Sequence, residues 1–205
     1  MCTGTAAQDY MGSRKAWSVM ADRKKLEQAA RLILEAIGED PNREGLLETP
    51  RRFAEMMEEQ MAYTTVSNEE IAGQFGKTFT SSEEGPVVVK DISIFSHCEH
   101  HLALMYHMHV SVGYIPHGRV IGLSKVARIA DAVSRRLQIQ ERIGADIRNI
   151  IEKVTGSVDV IVRIDGEHSC MTARGIKKPG AVTTTISSSG KFNTPGYRQL
   201  FKEML

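Results

Sequence analysis

The run SHCEHHL at residues 96–102 sets a thiol, a carboxylate and three imidazoles side by side: Cys98, Glu99, and His97, His100 and His101. A chain with three cysteines and seven histidines among 205 residues has no compositional reason to crowd them there. A thiolate and an imidazole three residues apart suit a divalent ion such as zinc, because a tight loop lets Sγ and a ring nitrogen reach one centre at roughly 2.0 to 2.3 Å. Cys98 and His101 have that spacing. The third ligand points to Cys170, in the loop GEHSCMTARG, since the remaining thiol, Cys2, lies at the extreme N-terminus. Three protein ligands leave a fourth position for water, which is the arrangement of a catalytic zinc, and two thiolates would neutralise the dication. His100 and His168, next or nearly next to a ligand, stand where they could move protons at neutral pH. Glu99 is expected to orient a ligand or a neighbouring imidazole. The spacing also admits a closed structural metal site, or buried thiols beside a solvated histidine loop.

A second constellation is basic. Ser124, Lys125 and Arg128 stand at the start of an expected helix, where backbone amides and the helix dipole favour an anion. Lys125 and Arg128 are one turn apart, and Arg174 follows Cys170 by four residues. There is no G-x-x-x-x-G-K-[ST] loop, so side chains and helix termini would have to hold a phosphorylated ligand. Each of these residues alone reads as an exposed charge; their concentration favours binding. His107, His109 and His117 are assigned to strand surface or turn.

The elements that position these residues follow from apolar periodicity. Residues 1–18 are small, polar and aperiodic and are expected to be a mobile tail that includes Cys2; a helical region over 19–75 and a catalytic domain over 76–205 follow. From Val19, the positions Leu26, Ala30, Ile33, Leu34 and Ile37 recur at helical spacing, with Gly38 placed to end that helix. A second helix opens with Thr49 as N-cap and Pro50 at its first position, with Phe53, Met56, Met57 and Met61 as its buried stripe. Strands are expected over Val87 to Ser96 and Leu104 to Ile115, with Leu104, Tyr106, Met108, Val110, Val112 and Tyr114 on one face and the CEHH cluster in the connection. Ser124 would cap a helix burying Val126, Ile129, Val133 and Leu137, and a further helix over about Ile139 to Val154 would stop at Gly156. Val158 to Asp165 alternates as a half-buried strand, Ala181 to Ser188 is a Thr-rich strand, and Thr194 with Pro195 starts a closing helix. Strand pairs on short connections predict antiparallel hairpins with helices on one face, an α+β layout.

Composition sets bounds. The hydrophobic share of 41% and charged share of 25% are those of a globular chain. With 26 basic and 25 acidic residues, bulk charge gives no support for nucleic-acid or membrane-surface binding. No apolar run approaches the roughly 18 residues of a membrane span, and no N-terminal apolar segment marks a secretory signal, so a cytoplasmic location is expected.

Four segments, KDISIFSHCEHH, GRVIGLSKVARI, SRRLQIQERI and HSCMTARGIKKPGAVTTT, together resemble GTP cyclohydrolase I, in that family's order and spacing, from about Thr49 to the C-terminus. The resemblance implies the tunnelling fold, in which antiparallel sheets of several subunits close into a barrel, in a homo-oligomer that is commonly a decamer. It implies zinc-dependent opening of GTP at C8, loss of C8 as formate, and recyclisation to 7,8-dihydroneopterin triphosphate, the first step toward folate and other pterins. Carried across, Cys98, His101 and Cys170 match the zinc ligands, and His100 and His168 the acid/base histidines. Glu141 matches the carboxylate that reads the guanine edge, with Gln140 beside it. Ser124, Lys125, Arg128 and Arg174 match the triphosphate-binding set, and Arg52 an arginine that reaches the phosphates from an adjoining subunit. Glu55 departs from the pattern, standing where many members carry a basic residue. Rival readings are a zinc nucleoside deaminase, for which the P-C-x-x-C half is missing, another tunnelling-fold pterin or deazapurine enzyme, and a non-catalytic zinc-stabilised scaffold.

Overall fold

The computed structural model describes residues 21–205, so the expected tail at 1–18 and Cys2 lie outside the described residues. In chain order the elements are α1 (Arg23–Ala36), α2 (Thr49–Gln60), α3 (Asn68–Phe75), β1 (Thr78–Thr80), β2 (Val87–Cys98), β3 (Ala103–Tyr114), β4 (Arg119–Ile121), α4 (Leu123–Ser134), β5 (Leu137–Gln138), α5 (Gln140–Thr155), β6 (Val160–His168), α6 (Ser169–Thr172), β7 (Val182–Ser188) and α7 (Pro195–Met204). Five strands form one sheet in the order β5-β2-β3-β6-β7, antiparallel except for the short β2–β5 pair, and β1 pairs with β4 apart from it. The α+β expectation holds.

The main core lies between one face of the sheet and α3, α4 and α5. Met105, Met108, Val110, Val112 and Val162 from the strands meet Val126, Ile129 and Val133 of α4 and Ile143, Ile147 and Ile150 of α5. The three isoleucines of α5 recur at the helical period, which is why that helix is legible as a buried one. Opposite, α7 and the turn before it bring Phe192 and Phe201 against Ile115 and Ile161. The helices are therefore not confined to one face. The approach is close enough that a Cβ at Gly113 would stand 3.0 Å from the Phe201 ring. Ile161 is accordingly as buried as Val160 and Val162, and the strand expected to be half-buried is covered on both faces along that stretch.

Several element boundaries differ from expectation. The first helix starts at Arg23, where the Asp22 side chain accepts from Lys25 N at 3.1 Å. Glu48, not Thr49, is the residue before α2, and of that helix's expected stripe Met56 is exposed while Phe53, Met57 and Met61 are half-buried. Gly122, not Ser124, precedes α4, and Leu137 lies in β5 rather than in the helix. The single face expected for β3 is broken by a bulge. Its pairing with β6 shifts register between Tyr106 and His109, and His107 takes φ 48°, so that Met105 turns into the core while Leu104 faces out. The periodic reading also missed α3, whose Ile71, Ala72 and Phe75 enter the main core.

α3 opens with a capping box: Ser67 Oγ accepts from Glu70 N at 3.2 Å, and Glu70 Oε2 accepts from Ser67 N at 2.7 Å. Ser67→Ala is expected to cost about 1 kcal/mol, the usual loss for an N-cap. Chemical denaturation checks it, and an unshifted midpoint would show that core contacts alone hold this helix.

Candidate metal centre

The sheet brings the chemistry to one end. Cys98 is the last residue of β2 rather than a loop residue, paired with Ala103 of β3 on one side and Gln138 of β5 on the other. β6 ends at the same level, with His168 opposite Met105. Cys170 follows two residues later in α6, and α5 begins at Gln140, two residues after the strand partner of Cys98. The ligand atoms of Cys98, His101 and Cys170 all lie within 4.8 Å of one another. Cys98 Sγ is 3.9 Å from His101 Nδ1, close to the about 3.6 Å that separates two ligands of a tetrahedral zinc. The hairpin turn is shaped for this: Glu99 N donates to Gln138 O at 3.0 Å, His101 N to Cys98 O at 3.3 Å, and Leu102 takes φ 52°.

The donor set fits a thiophilic divalent ion. Burial, together with the neighbouring Cys98 sulfur, pushes the Cys170 thiol upward, with Arg174 opposing. Two neighbouring thiols, one of which is held back from ionising, are a natural seat for a cation, which favours the thiolate form.

His100 Nδ1 lies 3.6 Å from Cys98 Sγ. His168 is held more tightly. Gln140, 1% exposed, donates from Nε2 to Ile164 O at 3.0 Å and Thr183 O at 2.9 Å, which uses both amide hydrogens. Its Oε1 must then be the acceptor of the 2.8 Å contact with His168 Nε2, so His168 carries its proton on Nε2 and Nδ1 keeps the lone pair. Burial lowers the His168 pKa, with Glu141 acting in the opposite sense. The close approach of Gln140 needs Gly166, where a Cβ would stand 2.9 Å from Met108 Cγ and 3.3 Å from Gln140 Oε1. Gln140, expected beside the substrate, is thus buried with its donors spent on the protein. Its role went unseen in the sequence because His168 and the two carbonyls it engages are 24 to 43 residues away.

Glu99 does not reach an imidazole; its carboxylate takes Arg142 in a two-point pair at 2.6 and 3.1 Å. Arg174 lies in the cluster, with Nη1 2.6 Å from His101 Nε2. Ser124, Lys125 and Arg128 occupy the first two turns of α4, Glu141 the first turn of α5, and none of the four side chains has a hydrogen bond or ion pair among the described residues. Arg52 is exposed on α2, likewise without a side-chain partner among the described residues, and that helix meets the body at its far end, where Glu59 O accepts from Arg135. The chain brings the three candidate metal ligands, both histidines, Gln140 and Arg174 together, and leaves Arg52 on a separate helix pair. Glu55 pairs with Arg51 at 2.8 Å. His107 and His117 face Glu167 and Asp159 on strand surface and turn.

The family model for GTP cyclohydrolase I matches residues 26–205. The chain belongs to that family. It is 61% identical over 176 residues to a GTP cyclohydrolase 1 of Clostridium acetobutylicum, covering 83% of this chain and 90% of that one. A GTP cyclohydrolase 1 of Clostridium beijerinckii is 58% identical over 179 residues, covering 84% and 91%. An archaeosine synthase of QueF-like type, solved in its apo form, overlaps 54% of this chain and 96% of its own at 18% identity and a TM-score of 0.42.

Proposed function

We infer that this member of the GTP cyclohydrolase I family holds a zinc ion on Cys98, His101 and Cys170 and uses His168 and His100 to move protons around it. The reaction is the hydrolytic opening of GTP at C8, release of C8 as formate, and recyclisation to 7,8-dihydroneopterin triphosphate. The observation that carries the reading is the meeting of two thiols and an imidazole from separate strand ends, beside a histidine whose proton is fixed on Nε2. When bound, zinc supplies the Lewis acidity that makes water nucleophilic near pH 7.

The chain's own residues supply the rest. His168, neutral and with Nδ1 free, accepts a proton, and Gln140 keeps it in that tautomer. Glu141 can accept from both N1 and the exocyclic amine of guanine, which selects that base. Ser124, Lys125, Arg128 and Arg174 take the triphosphate, with α4 presenting its N-terminal amides. Arg52 adds a phosphate contact from an adjoining subunit of a homo-oligomer, a decamer with sheets closed into a barrel in the tunnelling-fold manner. All of these residues but Arg52 fall within 76–205, the catalytic domain. No helix among the described residues is long and apolar enough to cross a membrane, and a cytoplasmic location is part of this proposal.

Zinc-loaded protein incubated with GTP is expected to release formate and to give pterin fluorescence after oxidation and dephosphorylation. Bound zinc with neither product would leave the scaffold reading standing, and release of ammonia without formate would favour a deaminase.

A further inference from the structure

Cys98 and His101 come from one hairpin, whereas Cys170 reaches them from α6, so its place depends on how that short element is seated. Two side chains flanking Cys170 make the seat. Ser169 Oγ donates to Leu104 O at 2.7 Å, and Thr172 Oγ1 meets Tyr106 Oη at 2.9 Å. Both partners belong to β3, the strand that leaves the turn of the first two ligands, so one strand references all three. The Tyr106 hydroxyl can also donate to Glu167 Oε2 at 3.4 Å, while Glu167 Oε1 meets His107 Nδ1 at 3.0 Å. With its proton turned toward the carboxylate, the phenol oxygen is free to accept from the Thr172 hydroxyl. The β3 bulge makes this possible. In an unbroken strand Tyr106 would share the core face of Met108 and Val110, but the shift between Tyr106 and His109 puts Met105 there and leaves Tyr106 only half-buried.

We propose that Tyr106, acting through Thr172 and together with Ser169, is a positioning residue that sets the Cys170 sulfur at coordinating distance from Cys98 and His101. The proposal rests on the metal reading above. Among the described residues Tyr106 has no hydrogen bond to Cys98, His101 or Cys170, and it need touch no substrate; it acts on the metal by deciding where α6 lies.

The test uses the full chain, stripped of metal and titrated with zinc against a chromophoric chelator, and with cobalt as an optical probe. Tyr106→Phe removes the hydroxyl and keeps the ring. It is expected to weaken zinc binding about tenfold, the low end of what loss of an outer partner costs. The thiolate-to-cobalt absorption per bound ion should change, while the denaturation midpoint of the metal-free protein stays put. Thr172→Val should match that loss, Thr172→Ser should restore parental affinity, and the double variant Tyr106→Phe with Thr172→Val should lose no more than either alone. Parental affinity in both Tyr106→Phe and Thr172→Val, or a double loss equal to the product of the two, overturns the proposal. If Tyr106→Phe does not fold, the Thr172 pair decides. Cys170→Ser separates the failures: if it sheds zinc while the Tyr106 and Thr172 variants keep it, the clamp alone is wrong, and if it binds zinc as the parent does, the metal reading falls with it.

Discussion

Cys170→Ser is expected to leave a folded chain that retains no stoichiometric zinc and turns over no GTP. A serine hydroxyl is a hard donor that stays protonated at neutral pH, so the substitution removes one of the three ligands and one of the two negative charges that offset the dication. The fold should survive, because Cys170 lies in a four-residue helix at the rim of the sheet and only half-buried, outside the core cluster to which Cys98 belongs. Elemental analysis and the formate assay on the same sample are the measurements. Strong chelation of the parent protein should reproduce the inactive state, and zinc should rescue the parent but not the variant. A variant with parental turnover and no metal would end the mechanism.

His168→Ala is expected to keep its zinc and to lower turnover by roughly 10²- to 10⁴-fold, the usual contribution of a positioned acid or base. The variant strands Gln140 Oε1, which His168 Nε2 engages at 2.8 Å, and a buried unpaired carbonyl costs about 1–3 kcal/mol. Kinetics should therefore be measured well below the unfolding midpoint, so that the rate loss reports chemistry rather than the folded fraction. Zinc content equal to the parent's with an unchanged rate would remove His168 from the reaction. Loss of zinc would instead show that the histidine supports the metal centre.

The two expected effects differ because the residues do different work, and the sequence disclosed them unequally. Cys98 and His101 are legible as a pair, since three residues in a turn is a local geometry. Cys170 is legible by elimination among few thiols. That His168 is held by Gln140 is not legible, since the bond spans 28 residues and exists only because β5 hands α5 to the sheet end where β6 finishes. Glu99 shows the opposite case. Its position between the two candidate ligands suggests service to a metal, yet Arg142, in the first turn of α5, claims it.

Periodicity was reliable where one face of an element is buried, as along α4 and α5, because a single apolar stripe has a single period. It failed at β3, where a bulge changes which parity faces the core, and at β6, where Phe192 and Phe201 cover the second face along part of the strand. It also overstated the burial of α2, whose Met56 is exposed.

By itself, the amino-acid order determined the α+β class, most of the helices and long strands, the Cys98–His101 pair and, through four motifs, the family. Those are properties of neighbours along the chain or of whole segments. Tertiary structure alone decided how near the Cys170 sulfur comes to the hairpin, that the Gln140 amide meets His168, and that Tyr106 faces α6 instead of the core. Each of these depends on strand register and on a bulge, and register is set by the sum of packing across the whole sheet, which no local stretch of residues encodes.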